Sequence, residues 1–146
     1  MKKGRMLAVG IVCFGLLAWA VTPGKPEPPG RYDLGITMTA EDITATGCTL
    51  KVTQSGGEVT GEVFCGCDFW MERQTVGVWI LLANDFDWTA EGYTLTDHTE
   101  TFALNWERMH GVLPAGTYRI GKTINGRLET GVRVDQTCYT EPFVIQ

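Results

Sequence analysis

From Tyr32 to the last residue, apolar and polar side chains alternate in short runs with a period of two. Cys48, Leu50 and Val52 alternate with Thr49, Lys51 and Thr53, and Phe69 and Met71 alternate with Asp68 and Glu72. Leu34, Ile36 and Met38 do the same, and "GYTLT", "TFALNW", "GTYRIGKTI" and "CYTEPFVIQ" continue the pattern. Val78 to Leu82 is a continuous apolar run. Turn-rich stretches such as "AEDITATG" and "QSGGEVTG" separate these segments. A period of two puts one side of each segment in a core and the other in water, which is the demand of a half-buried strand. No stretch of ten residues holds a helical period, and the one helical candidate is a single turn around Asn105 to His110. Short strands with turn signals at this spacing predict an all-β fold, an antiparallel sandwich of about seven to eight strands.

Within this pattern lies a literal phosphate-loop match, Gly116 to Thr123, with Gly121, Lys122 and Thr123 in the expected places. Such a loop needs an apolar strand before it and a helix after it, whose amide groups and dipole hold the phosphates. Here Leu113-Pro114-Ala115 makes a corner, Thr117 to Ile120 are β-formers, and Asn125-Gly126 reads as a turn that stops any helix. The residues therefore argue against nucleotide binding.

The N-terminus obeys different rules. Lys2, Lys3 and Arg5 precede Met6 to Val21, a run of 16 residues without charge, closed by the small-x-small site Ala18-Trp19-Ala20. This is the form of a signal peptide or of an N-terminal membrane anchor helix, residues 1–21. Val12 before Cys13, in mid-segment, argues against a lipidation site. Residues 22–31, "TPGKPEPPGR", form a Pro-rich linker that favours an extended, semi-rigid spacer. Residues 32–146 are the sandwich domain. Without Lys2, Lys3 and Arg5, 9 basic residues face 17 acidic ones, a net charge of −8. That balance disfavours nucleic acid and anionic lipid as partners, and contact with a membrane is expected only through the N-terminal segment. The expected location is extracellular or at the cell envelope.

"LPAGTYRI" has the form of a tyrosine corner, in which the Tyr118 hydroxyl reaches back to the backbone at the entry to a strand. Together with "GITMTAEDITATGCTL", "TQSGGEVTGE", "FWMER", "ALNWERMHGVLPAGTYRIGKTI" and "EPFVI", it resembles the bacterial immunoglobulin-like domains of Gram-positive Firmicutes. The resemblance covers roughly Leu34 to Ile145. It implies an immunoglobulin-like sandwich displayed outside the membrane, in an exported lipoprotein or a membrane protein, with no catalytic residues and no cofactor.

Cys48, Cys65, Cys67 and Cys138 depart from that family's usual pattern. In an exported chain they are read first as disulfides, with three pairings open. The immunoglobulin-like strand order places Cys65 and Cys67 near Cys138, so a bridge from one of the two to Cys138 is expected, closing a loop worth roughly 4 kcal/mol. Cys48 is expected as a small buried apolar residue. The alternatives for Cys65-Gly-Cys67 are a redox pair or half of a metal site completed by Cys138, His98 or His110, although the spacing favours neither. Ser55 lies in a Gly-rich turn without a nucleophile motif, and Asp85, Asp87 and Glu91 lack calcium-loop spacing. Trp79 and Trp106 are expected in the core. Trp70, out of phase with Phe69 and Met71, should face outward, where it is expected beneath a covering loop or, as the alternative, offers rings with Trp88 for stacking on sugar. The sequence thus points to a non-catalytic interaction or spacer module of the cell envelope with an unidentified protein partner or, as the alternative, a module that binds cell-wall glycan.

Overall fold

The computed structural model describes residues 32–58, 61–96 and 98–146; the leader at 1–21 and the linker at 22–31 lie outside them. Ten strands and one helical turn are present among the described residues. The smaller sheet contains β1 (Ile36–Glu41), β2 (Gly47–Gln54) and β7 (Thr99–Asn105), in the order β1-β2-β7. The larger sheet is built on β8 (Gly116–Arg127), a strand of 12 residues. One edge of β8 pairs with β4 (Trp70–Thr75) and β3 (Val63–Gly66), and the other with β9 (Arg133–Tyr139) and β10 (Phe143–Ile145). β5 (Val78–Leu81) extends the sheet beyond β4, and β6 (Gly92–Thr94) beyond β3. All of these pairings are antiparallel. α1 (Glu107–His110) is the single helical turn.

The two inner faces meet in one core. Leu50 and Val52 of β2 face Met71 of β4 and Tyr118, Ile120 and Ile124 of β8, and all six are fully buried. Trp106 is equally buried and donates its indole N–H to the carbonyl of Ala45 at 3.0 Å, so its one polar atom is satisfied. The Tyr118 hydroxyl donates to the carbonyl of Pro114 at 2.7 Å, tying the start of β8 to the corner before it.

The strand count exceeds seven or eight because two long strands are broken. Cys67 to Phe69 interrupt the strand beside β8, giving β3 and β4, and Thr140 to Pro142 separate β9 from β10. Asn125-Gly126 is not a turn. Asn125 pairs with Phe64 on one side and Asp135 on the other, so laddering on both edges overrides the local preference. The chain instead reverses at Leu128 to Val132, where Leu128 N–H donates to the Val132 carbonyl at 2.9 Å.

Candidate functional site

Inward-facing positions on β8 are Tyr118, Ile120, Lys122 and Ile124. The phosphate-loop lysine therefore points into the core, where it is 1% exposed. Its ammonium donates to the carbonyls of Gly66 at 2.5 Å and Asp68 at 2.7 Å, and lies 5.2 Å from the centroid of the Phe102 ring. Those two carbonyls belong to the break between β3 and β4. Burial lowers the Lys122 pKa, and the neighbouring Cys65, Asp68 and Cys67 oppose that shift. All three strong contacts are internal, so Lys122 is occupied in holding the core together.

Beside Lys122 the sandwich is open. β7 ends the smaller sheet, and among the described residues no strand continues it toward β3 and β6. The connection from Ala83 to Glu91 spans the gap without joining either sheet. Its even-numbered residues Asn84, Phe86 and Trp88 turn inward and are half-buried, while Asp85 and Asp87 stand exposed. Trp88 packs on Phe69 (5.0 Å between centroids) and on Phe86 (4.9 Å), and Tyr93 meets Phe102 edge to face at 5.2 Å. Between this aromatic wall and β7 lies a cleft of about 650 Å³, with Arg108 and Met109 of α1 at one end. Glu100 through Asn105 of β7 form its opposite side. The volume and the aromatic lining with a few polar groups are those of a binding site. The cleft escaped the sequence reading because "LANDFDWT" has no strand partner, although its alternation of Phe86 and Trp88 with Asp85 and Asp87 was there to be seen.

Among the described residues Cys48, Cys65, Cys67 and Cys138 are free, which corrects the disulfide expected for Cys65, Cys67 and Cys138. Cys65 pairs with Ile124 on one edge of β8 and Cys138 with Lys122 on the other. A strand thus lies between them, a separation of about 10 Å, whereas a disulfide needs Cα atoms within about 7 Å. Cys67 is turned toward the cleft, where its thiol donates to the Thr89 carbonyl at 3.1 Å. Burial raises the thiols of Cys48 to about 12 and of Cys138 to about 11, and also raises that of Cys65. Buried thiols of this kind are poor nucleophiles. His98 lies away from them, its Nδ1 at 2.5 Å from Gln54 Oε1. Among the described residues no three His, Cys, Asp or Glu side chains converge as metal ligands.

Trp70 and Trp88 do not form a common platform. Trp70 lies on the outer face of the larger sheet, edge-on to Tyr139 at 5.9 Å, while Trp88 packs against the inward Phe69. Trp79 also departs from its expected core position. It is half-buried on the outer face beneath the Arg119 guanidinium, 4.4 Å from its ring, and Arg119 also bridges to Glu72 at 2.5 Å.

Two facing antiparallel sheets, a tyrosine tied to the corner before the long central strand, and a core shared by both layers define an immunoglobulin-like sandwich. Residues 32–141 match the family described as bacterial Ig-like domain, and the chain belongs to that family. No curated protein and no solved structure matches the chain.

Proposed function

We propose that this protein is an exported, non-catalytic interaction module of the bacterial cell envelope, held or released by its N-terminal segment and presented on its Pro-rich spacer. The family supports the extracellular, non-catalytic part. The observation that carries the interaction reading is the aromatic cleft beside β7, whose polar groups are not arranged as nucleophile and base. Exposed aromatic walls around a concavity are the usual anchor points of a partner. The test is photo-crosslinking in intact cells, from Phe86 inside the cleft and from Lys51 on the outer face of β2. Crosslinks from Phe86 alone support the module. Their absence at both positions leaves only a spacer.

Glycan binding has one observation in its favour: Trp88 shares the cleft with Glu100, Asn105 and Arg108, a ring beside hydrogen-bonding groups. Retention on cell-wall polysaccharide that Trp88→Ala abolishes would select this reading, and equal retention of Trp70→Ala follows from the separation of the two rings.

A further inference from the structure

β5 is a sheet edge whose outward backbone groups are unpaired. Leu82 N–H donates to the Met71 carbonyl at 2.9 Å, which makes these two a hydrogen-bonded pair. Such pairs alternate along an antiparallel ladder, so Val78 and Ile80 turn their backbone groups toward β4. Trp79 and Leu81 turn theirs away, and among the described residues no strand lies beyond β5 to meet them. The strand also lacks the usual protections of an edge, having no Lys, no Pro and no break in its register. Its side chains are as open as its backbone. Trp79 and Leu81 share the outer face, Val78 and Ile80 the inner one, and Val78, Ile80 and Leu81 are all exposed, so neither face of the strand is covered.

Charge sets this edge apart from the other rims of the sandwich. Outside the leader 17 acidic residues face 9 basic ones, so two copies of the chain repel on most approaches. Among the other rim strands, β1, β7 and β9 contain Glu41, Glu100 and Asp135, and Glu91 and Glu141 stand within two residues of β6 and β10. Around β5 there is no such group: no acidic residue stands between Glu72 and Asp85. The charges of its neighbour β4 are already engaged. Glu72 is bridged to Arg119, and Arg73 Nη2 donates to the Ala115 carbonyl at 3.1 Å.

We infer that β5 pairs with β5 of a second copy, antiparallel about a two-fold axis at Ile80, so that two larger sheets join into one. The strand is its own complement. In this register the residues with free backbone groups meet, Trp79 of one copy opposite Leu81 of the other, and each such pair exchanges both its hydrogen bonds. Ile80 faces its own copy across the axis as a non-hydrogen-bonded pair, with Cα atoms about 4.5 Å apart. Val78 meets Leu82. Every side chain brought together is apolar, and no carboxylate enters the contact. A basic partner finds its complement at the acidic rims instead. The chain's own residues 22–31 carry four prolines, which offer no N–H to a ladder. A four-residue edge is small, so the pair belongs with the contacts under about 1,200 Å² that form and part readily. No residue of β5 lines the cleft beside β7, so this association is independent of the interaction reading above.

The test is sedimentation velocity of the full-length chain over a hundredfold range of concentration, with charge placed on the axis. The parent should pass from monomer to dimer across that range. Ile80→Lys and Ile80→Glu each set two like charges face to face, so each should associate at least tenfold more weakly while melting like the parent. An equimolar mixture of the two should dimerise again, because the charges across the axis are then opposite. Ile80→Cys gives a second readout. Mild oxidation should yield its covalent dimer at least tenfold faster than that of Val112→Cys, which is exposed away from the edge. A parent that stays monomeric throughout overturns the proposal, as does a dimer that both charged variants keep. A mixture that fails to dimerise, or equal oxidation rates at the two cysteine positions, overturns the axis at Ile80.

Discussion

Lys122 Nζ donates to the carbonyl of Asp68 at 2.7 Å, across the gap where the strand beside β8 is interrupted. A charged side chain in a sandwich core is costly unless its hydrogen bonds are made, and here the backbone makes them. The Gly66 and Asp68 carbonyls are turned toward the ammonium instead of toward β8, so the break and the lysine are two aspects of one arrangement.

Lys122→Met is therefore expected to destabilise the domain by about 1–3 kcal/mol. It removes an ammonium held against its desolvation cost, yet leaves two carbonyls without a partner. Lys122→Ala adds a cavity and should cost more, about 2–5 kcal/mol. Urea unfolding of the two variants beside the parent measures both, and a Lys122→Met variant more stable than the parent would contradict the assignment.

The neighbouring glycine has a separate reason. The Trp70 indole lies across Gly121, its register partner, and a Cβ at 121 would fall within that ring. Gly121→Ala should cost about 1–3 kcal/mol through overpacking. Most of that cost should vanish when Trp70→Ala is the background. A double-mutant cycle in thermal melts gives the coupling, and additivity of the two substitutions would refute the contact.

Together these residues explain the phosphate-loop match. Gly121 accommodates a tryptophan on the outer face, Lys122 ties two carbonyls inside, and Thr123 simply continues the strand. The strands were legible because alternation reports burial directly, as at Leu50, Val52, Ile120 and Ile124. The passage of β8 through Asn125-Gly126 was not, since pairing from Phe64 and Asp135 is a non-local demand. Free thiols at Cys65 and Cys138 were likewise hidden, because the expected bridge rested on loops at one end of the sandwich, whereas both residues lie within strands on opposite edges of β8. The outward side of Trp70 followed from parity, whereas the site of Trp88 depends on a connection that belongs to no sheet.

The hairpin between β4 and β5 turns on Val76-Gly77, both with positive φ, 49° and 75°. A β-branched residue is strained in that conformation, and Val76 is 98% exposed, so it gains nothing from packing. Val76→Asn should stabilise the domain by about 1 kcal/mol, read as a higher melting temperature. An unchanged or lower value would show that the turn is not strained.

Thiol chemistry gives a pH dependence. In the folded domain burial keeps Cys48, Cys138 and Cys65 protonated above the ordinary thiol value of 9.0. The unfolded chain releases those protons first, so their contribution is complete below pH 9.0 and is lost as pH rises toward about 11 and 12. Lys122 acts in the opposite direction below its ordinary 10.5, because the unfolded chain keeps its proton longer. Three thiols against one amine give a net fall, and the urea midpoint should decline between pH 8.5 and 10.5, less steeply in a Cys48→Ala/Cys138→Ala variant. A rising midpoint would reverse the balance. Iodoacetamide at pH 8 should label Cys67 in the native domain and spare the three buried thiols until it unfolds.

A single strand supports the larger sheet: β3 and β4 hang from one edge of β8, β9 and β10 from the other. Synthesis delivers the chain from its N-terminus, so the earlier strands β3 to β6 emerge before the template that orders them. The β4–β5 and β3–β6 pairs are not joined into one sheet until β8, which ends at residue 127, has emerged. Folding is thereby postponed until most of the polypeptide has emerged, and the waiting segments are exposed to wrong associations for the whole of that interval.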